Sequence, residues 1–238
     1  MYTEKEFFFR TSDFDCSDQL KISSVLDICQ YISGIHADML GVGFESCKEK
    51  GQYWVISKLR FKKLRDIKHN EELVVSTWPL PTKRIEFIRN CVIKDKFGNN
   101  VIECETYWFV INESRKILRS ENVSFNSTNF LDKTVYNESM SKLNYNISQD
   151  CVIKEHKVEN YDLDHNGHLN NARYADLILN FWDISNMKKY KEFEISFHKE
   201  ALLGDTIKIY NFKDLNDEIY VGIVNDEKCF TAKVKMEE

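Results

Sequence analysis

The part of the sequence best suited to chemistry is a short polar segment, Asp162–Asn171, which reads DLDHNGHLNN. Within it, Asp164, Asn166 and His168 place a carboxylate, an amide and an imidazole at every second position. An imidazole can exchange a proton near neutral pH, and an amide can orient water through hydrogen bonds. The spacing therefore favours a site where water is activated.

The same residue types are also typical of an ordinary turn before a helix, in which Asn170 or Asn171 would act as the N-cap. A helix is predicted from Leu169 to about Trp182, because apolar residues recur at three- and four-residue steps. The start of such a helix offers free backbone N–H groups and a positive dipole end. These donors would stabilise the negative charge on a thioester carbonyl that water attacks.

A second carboxylate, Glu200, follows a predicted strand, Glu192–His198. Alternation places it on one strand face with Glu194, Ser196 and His198, at the end nearest the loop. From there Glu200 could orient His168 or activate water. An exposed carboxylate at a strand end is the other interpretation.

The chain contains an internal repeat. The residues from Asp13 to Asp27 align at a constant offset with those from Asp162 to Asp176. Asn166 and His168 then match Ser17 and Gln19, and Glu200 matches Leu64 in a later alignment. The second copy therefore carries the candidate site, and the first copy lacks it.

Each copy combines one helix with several strands, which predicts an α+β fold with a helix along a curved antiparallel sheet. In the first copy the predicted helix runs from Ser23 to about Lys50, and at least as far as Gly41. The Asn- and Ser-rich stretch 126–149 is interpreted as a linker between domains at 1–125 and 150–238. Strands are predicted over Tyr53–Leu64, Glu72–Asp95, Asn100–Leu118, Cys151–Val158, Glu192–His198, Thr206–Phe212, Glu218–Val224 and Cys229–Met236.

Composition excludes several classes of protein. The net charge of −5 gives no general case for binding nucleic acid, and no apolar run is long enough to span a membrane. The seven cysteines include no CxxC pair, so neither a disulfide framework nor a zinc site is expected. The N-terminal residues lack a signal-peptide pattern, and a cytoplasmic location is expected. No metal or other cofactor is expected.

Basic residues cluster locally in an acidic chain. The run Lys58–Arg65 is typical of a solvated strand face, or of a landing surface for an acidic partner. The candidate residues for such a surface are Lys58, Lys62, Lys63, Lys83 and Arg84.

The segment Asp162–Tyr174 resembles the active-site motif of the acyl-ACP thioesterases, the plant fatty-acyl enzymes and their bacterial relatives. The family pattern is Asp, any residue, Asn, any residue, His, an aliphatic residue, Asn-Asn, and Tyr three residues on, and each position is matched. Glu105–Asn112 with Arg115 is similar to a strand and turn of the family's first domain, and Ser76–Trp78 contains its Thr-Trp pair.

The resemblance implies a double hotdog fold with the second domain catalytic, and acyl carrier protein (ACP) as the partner. It places the catalytic residues at Asp164, Asn166, His168 and Glu200, with Asn170 and Asn171 beside the substrate. Ala201 stands where the plant enzymes have a cysteine, so an acyl-enzyme at that position is excluded and direct attack by water is favoured. An acyl pocket is expected in the first domain, along its helix and the strands bearing Trp54, Trp78 and Trp108.

Three alternatives remain open from the sequence: an acyl-CoA hydrolase of the hotdog class, a hotdog hydratase, and a non-catalytic acyl-binding regulator. The hydratases space their Asn and His differently from the two-residue step between Asn166 and His168. Neither the acyl chain length nor the choice between monomer and homodimer follows from the sequence, because a double hotdog already makes the interface that single hotdogs form by dimerising.

Overall fold

Two groups of strands and helices follow one another along the chain. The computed structural model describes residues 1–123, 130–140, 143, 145, 151–183, 190–214 and 217–237. These residues divide into two compact units, the first made of Met1–Arg10 and Asp27–Ser139, the second of Thr11–Leu26 and Met140–Glu238. Part of the predicted linker, namely residues 126–129, 141, 142, 144 and 146–149, lies outside the described residues.

The first group of elements forms a five-stranded antiparallel sheet in the order β1-β3-β4-β5-β2. Thiol contacts from Cys29 on its first helix to Cys91 and Cys104 place that helix against one face of the sheet. The elements are β1 (Thr3–Phe7), α1 (Ile22–Met39), α2 (Phe44–Lys48), β2 (Gln52–Lys63), β3 (Leu73–Pro79), β4 (Phe87–Asp95) and β5 (Asn100–Asn112).

The second group repeats this topology, with an antiparallel sheet in the order β6-β8-β9-β10-β7. In both groups the strand before the first helix lies at one end of the strand order. The first strand after the helices lies at the other end. The elements are β6 (Val152–Lys157), α3 (Asn171–Leu179), β7 (Tyr190–Phe197), β8 (Thr206–Asp214), β9 (Asp217–Val224) and β10 (Glu227–Met236). The α+β class predicted from the sequence is confirmed.

Most predicted elements are present, with three differences. The predicted strand Glu72–Asp95 is two strands, because the chain turns between Pro79 and Phe87. Strand β1 was not predicted; it is an edge strand with three exposed residues and no apolar alternation. The helix predicted from Ser23 to about Lys50 is two helices, because α1 ends at Met39 and α2 begins at Phe44.

A strap formed by residues 130–139, within the predicted linker, belongs to the first unit. It lies on the sheet face opposite α1, where Lys133 accepts a hydrogen bond from Trp78 Nε1 and the Val135 N–H donates to Asn90 Oδ1. Beneath the strap, buried Arg60 pairs with buried Glu105 at 2.6 Å. The strap thus covers a buried ion pair that would otherwise face water.

Within the described ranges, no helix is long and apolar enough to cross a membrane. All seven cysteines are free thiols.

Candidate active site

The polar loop before α3 is organised by the carboxylate of Asp164. Its Oδ1 accepts hydrogen bonds from the backbone N–H of Asn166 at 2.8 Å and of His168 at 3.1 Å. The Asp164 N–H donates to the His168 carbonyl at 2.8 Å, which closes the loop. Gly167 occupies the tip with a positive φ of 79°, which glycine adopts without a steric penalty. One carboxylate thus sets the backbone from which both candidate side chains project.

The corresponding loop of the first copy has the same hydrogen bonds. Asp15 Oδ1 accepts from the N–H groups of Ser17 at 2.7 Å and Gln19 at 3.1 Å, and the Asp15 N–H donates to the Gln19 carbonyl at 2.8 Å. Asp18, at the tip, has a φ of 58°. The repeat has therefore kept the backbone of the loop, while Ser17 and Gln19 stand where the second copy has Asn166 and His168.

Glu200 lies beyond the end of β7, in a segment that is tied to the loop by backbone bonds. The Leu169 N–H donates to the Ala201 carbonyl at 2.9 Å, and His168 forms a bridge with Leu202. His168 Nε2 lies 3.4 Å from Glu200 Oε2, at the outer limit of a hydrogen bond. Both side chains keep contact with solvent, at 27% and 39% exposure. The structure thus joins the two groups that the sequence placed far apart.

The amide of Asn166 is exposed on the same loop. Its Nδ2 donates to Asp164 Oδ2 at 3.4 Å. The Asp164 carboxylate therefore contacts both the backbone and the side chain of Asn166, and the amide keeps its carbonyl oxygen for another partner.

Tyr174 of α3 contacts the segment that carries Glu200. Its ring packs edge-on against Phe197 and Phe230, with centroids 5.5 and 5.2 Å away. Burial raises the pKa of its hydroxyl well above the usual range, and a hydrogen bond with the backbone of Ala201 acts in the opposite direction. This motif residue, to which the sequence assigned no role, thus anchors the residue next to Glu200.

A buried carboxylate, Asp162, fixes the start of the loop. His156 Nε2 lies 2.8 Å from Asp162 Oδ2, which also accepts the Glu159 N–H at 2.9 Å. The Asp162 carbonyl accepts from Asn170 N–H at 2.9 Å. Sequence reasoning missed His156, because a histidine on a strand carries no signal of its partner.

Asn170 and Asn171, expected beside the substrate, stand at the start of α3. Asn170 is the N-cap, since its side-chain oxygen accepts the Ala172 N–H at 2.9 Å. Asn171 is the first residue of the helix. The ordinary capping interpretation thus accounts for Asn170, whose oxygen is already engaged.

The three tryptophans expected to line the acyl pocket do not share one surface. Trp54 and Trp108 pack against a cluster that includes buried Phe87, with Trp54 edge-on to the Phe87 ring at 5.0 Å. Trp78 lies on the other face of the sheet, under the strap, where its indole bonds the carbonyl of Lys133. Only the first two are thus placed to line a common pocket.

The basic residues expected at a partner surface differ in what they contact. Lys63 is buried and pairs with Asp66 at 2.6 Å, while Lys58 lies 3.8 Å from Glu86. Lys62, Lys83 and Arg84 form no ion pair with any residue that the structure describes.

A metal ion has no evident place in this site. Among the residues that the structure describes, no group of three or more His, Cys, Asp or Glu side chains could hold one. The chemistry available here is that of a carboxylate, an imidazole and an amide.

Comparison with known proteins assigns the family. The model of the acyl-ACP thioesterase N-terminal domain matches residues 1–123, and that of the C-terminal domain matches residues 145–234. A search of curated proteins finds no match.

Two solved structures share the fold. An acyl-ACP thioesterase from Bacteroides thetaiotaomicron is 24% identical, with a TM-score of 0.90 over 99% of this chain and 98% of its own. A 12:0-ACP thioesterase from Umbellularia californica is 16% identical, with a TM-score of 0.87 over 99% and 97%.

The matched models define an enzyme class, the thioester hydrolases. Within that class, the chain belongs to the acyl-ACP thioesterase family, and its reaction is hydrolysis of the acyl-ACP thioester. The resemblance noted in the sequence is confirmed.

Proposed function

We propose that water attacks the thioester directly, with Glu200 as the general base. The carboxylate takes a proton from water as the water oxygen bonds to the thioester carbonyl carbon. The carbon–sulfur bond then breaks, the thiolate of the carrier leaves and takes up a proton, and a free fatty acid remains. The observation that carries this proposal is the 3.4 Å contact between His168 Nε2 and Glu200 Oε2. Such a contact lets the imidazole orient the base.

Asn166 is the group that orients water or the thioester carbonyl. Its side chain is exposed beside His168, and Asp164 accepts from its Nδ2, so that the amide points in one direction. The N–H groups of Ala172 and Arg173 at the start of α3 already donate to Asn170, so they are not free to stabilise the developing oxyanion.

Asp164 is a positioning residue in this scheme. Asp15 makes the same two backbone hydrogen bonds in a loop that has Ser17 and Gln19 instead of Asn166 and His168. The same carboxylate is present in both copies, although only the second copy carries the candidate site. This supports a role for Asp164 in holding the turn.

The fold of each unit is proposed to be a hotdog domain, so that the chain is a double hotdog. The shared strand order, with one helix after the first strand of each group, supports this assignment. The acyl pocket is assigned to the first unit, around Trp54 and Trp108. Release of the fatty acid would end chain elongation on the carrier.

The decisive experiment incubates the protein with a panel of acyl-ACPs and measures free fatty acid by chain length. Asn166→Ala, His168→Ala and Glu200→Gln should each lower kcat by about 100-fold or more with unchanged melting temperature. Gln19→Ala, at the position that matches His168, is the control and should leave kcat unchanged. Full activity in Glu200→Gln would rule out the proposed base.

The competing activities give different products. An acyl-CoA hydrolase would turn over acyl-CoA at least as fast as the matched acyl-ACP. A hydratase would add water to an enoyl thioester without releasing a thiol, and an acyl-binding regulator would retain bound substrate without turnover.

Recognition of the acidic carrier is assigned to Lys62, Lys83 and Arg84. Reversing these charges should lower kcat/KM on acyl-ACP more than on acyl-CoA, because electrostatic complementarity mainly affects encounter with the charged partner. Lys68→Glu, at another exposed lysine of the same unit, is the control. Equal losses on both substrates would remove this surface from the account.

A further inference from the structure

Arg89, on β4, is a partly buried arginine without an acidic partner. Its Nη1 donates to His36 Nδ1 at 2.8 Å and, at 3.4 Å, to Thr77 Oγ1. Across the part of the chain that the structure describes, these are the only hydrogen bonds of the Arg89 side chain, and no carboxylate accepts one of them. The N–H groups on Nε and Nη2 of the guanidinium therefore remain available to donate hydrogen bonds to another molecule.

The neighbours of Arg89 supply no acceptor for these donors. His36 is 2% exposed, and because its Nδ1 accepts from Arg89, its proton resides on Nε2. The Thr77 hydroxyl donates its own hydrogen to the Asn90 carbonyl at 2.8 Å. The cluster thus has surplus donors and a positive charge.

Burial of this cluster disfavours positive charge on both side chains. It lowers the pKa of Arg89 to about 10. Burial, followed by the charges of Arg89 and the N-terminal amine, lowers the pKa of His36 to about 4. Both shifts mean that positive charge is unfavourable in this cluster until an anion neutralises it.

The contrast with Arg60 shows how this chain otherwise treats a buried guanidinium. Arg60 contacts Glu105 at 2.6 Å, and the ring of Tyr136 covers its guanidinium at 3.8 Å. Arg89 projects from the opposite face of the same sheet, where no such acid is provided. An ordinary structural arginine would resemble Arg60.

The surroundings of Arg89 indicate the kind of anion. The adjacent buried positions on this face carry two hydroxyls, those of Thr77 and Thr106, and otherwise thiols and apolar groups, including Cys91 and Cys104 with Cys29 of α1. A single guanidinium matches the single charge and two oxygens of a carboxylate. A phosphate dianion would leave one charge unpaired in an apolar setting.

We propose that Arg89 and His36 form a binding site in the first unit for the carboxylate of a free fatty acid. The guanidinium pairs with the carboxylate through Nε and Nη2, His36 Nε2 is a further donor, and the aliphatic tail lies among the apolar residues between α1 and the sheet. That the acid is also the reaction product rests on the proposed function; the carboxylate site does not.

The test is binding of dodecanoate, below its critical micelle concentration, to the intact protein by calorimetry and thermal melting. Dodecanoate should bind and raise the melting temperature, whereas 1-dodecanol, acetate and inorganic phosphate should bind at least about tenfold more weakly. This comparison needs no variant. Equal binding of dodecanol, or tighter binding of phosphate, would overturn the proposal.

Variants then locate the site. Arg89→Met should weaken dodecanoate binding about tenfold or more, and without ligand it should melt at the same or a higher temperature, because an unpaired charge has been removed. Arg119→Met, at an exposed arginine outside both proposed sites, is the matched control and should bind as the wild type does. A lower melting temperature of Arg89→Met without ligand would indicate a structural arginine and contradict the proposal.

The catalytic loop is tested as the competing site. Loss of dodecanoate binding in Asn166→Ala with retention in Arg89→Met would overturn the assignment to Arg89. Hydrolysis of acyl-ACP by the wild type is measured separately, so a failure of the proposed mechanism and a failure of this site give different results.

Discussion

At the scale of single residues, three carboxylates of this chain bind backbone N–H groups of the loops they belong to. Asp164 and Asp15 each accept two N–H groups of their own loop, and Asp162 joins His156 to the N–H of Glu159. A carboxylate so engaged fixes the backbone of its own loop, which suits a positioning role.

The role of Asp164 can be separated from acid–base chemistry by two substitutions. Asp164→Asn keeps an oxygen that can accept the same two N–H bonds, so kcat should stay within about tenfold of wild type, whereas Asp164→Ala should lower it about 100-fold. Steady-state kinetics on acyl-ACP measures both. Asp15→Ala, which removes the equivalent bonds of the first copy, should lower the melting temperature without changing kcat. If Asp164→Asn were as inactive as Asp164→Ala, the carboxylate itself would be part of the chemistry.

His36 predicts a pH dependence of stability. Its folded pKa of about 4 lies below the value of 6.5 expected in the unfolded chain, so between these values the unfolded state binds more protons. Stability is therefore fully present above pH 6.5 and is lost as the pH falls toward 4. From pH 7 to 4.5, wild type should lose about 2 kcal/mol more unfolding free energy than His36→Gln. Urea unfolding at each pH measures the difference; exposed His69→Gln should behave as wild type.

At the scale of elements, edge-on packing of aromatic rings connects the sheet of the second unit to the candidate site. Phe230 on β10 is fully buried and packs against Tyr174 of α3. Gly222 on the neighbouring strand β9 makes room for it, because a Cβ there would lie 2.1 Å from Phe230 Cε1. The position of Tyr174, and with it the Glu200 segment, therefore depends on a glycine one strand away.

Gly222→Ala should consequently affect both stability and catalysis. Overpacking is expected to lower the unfolding free energy by about 2 kcal/mol, and displacement of Phe230 should lower kcat through Tyr174. Thermal melting and acyl-ACP kinetics test the two effects. Gly34→Ala is the control, since nothing lies within 4 Å of a Cβ on that helical residue and alanine favours helix. A normal melting temperature in Gly222→Ala would contradict the packing argument.

At the scale of the whole molecule, the two units share a strand order but differ in their polar side chains. The first encloses a covered ion pair, Arg60 with Glu105, and a group of buried thiols. The second has the loop with Asn166 and His168. The side chains that the proposed mechanism uses therefore belong to the second copy of the repeat.

Thiol reactivity should report on the integrity of both units. Exposed Cys16 should react quickly with a disulfide reagent, and partly buried Cys151 more slowly. Burial raises the pKa of Cys104 and raises that of Cys229 to about 12, so these thiols should react only on unfolding. Absorbance of the released thiolate follows the phases. Cys16→Ser should remove the fast phase without altering acyl-ACP turnover; rapid reaction of five or more thiols in the native protein would contradict the packing.

The sequence alone determined the class of fold, the repeat and the loop that carries Asn166 and His168. These features are local: apolar periodicity, turn-forming residues and motif spacing are properties of neighbours along the chain. For the same reason the backbone of the loop could be foreseen, since Asp164 binds groups only two and four residues away.

Only the tertiary structure decided which distant groups meet. Backbone bonds of Leu169 and His168 to the segment after β7 bring Glu200 to the loop, and no local pattern encodes that pairing. The same holds for Arg60, which looked like part of a solvated basic run until Glu105 and the strap covered it. Burial and charge pairing depend on which faces are brought together, and that is a property of the folded chain.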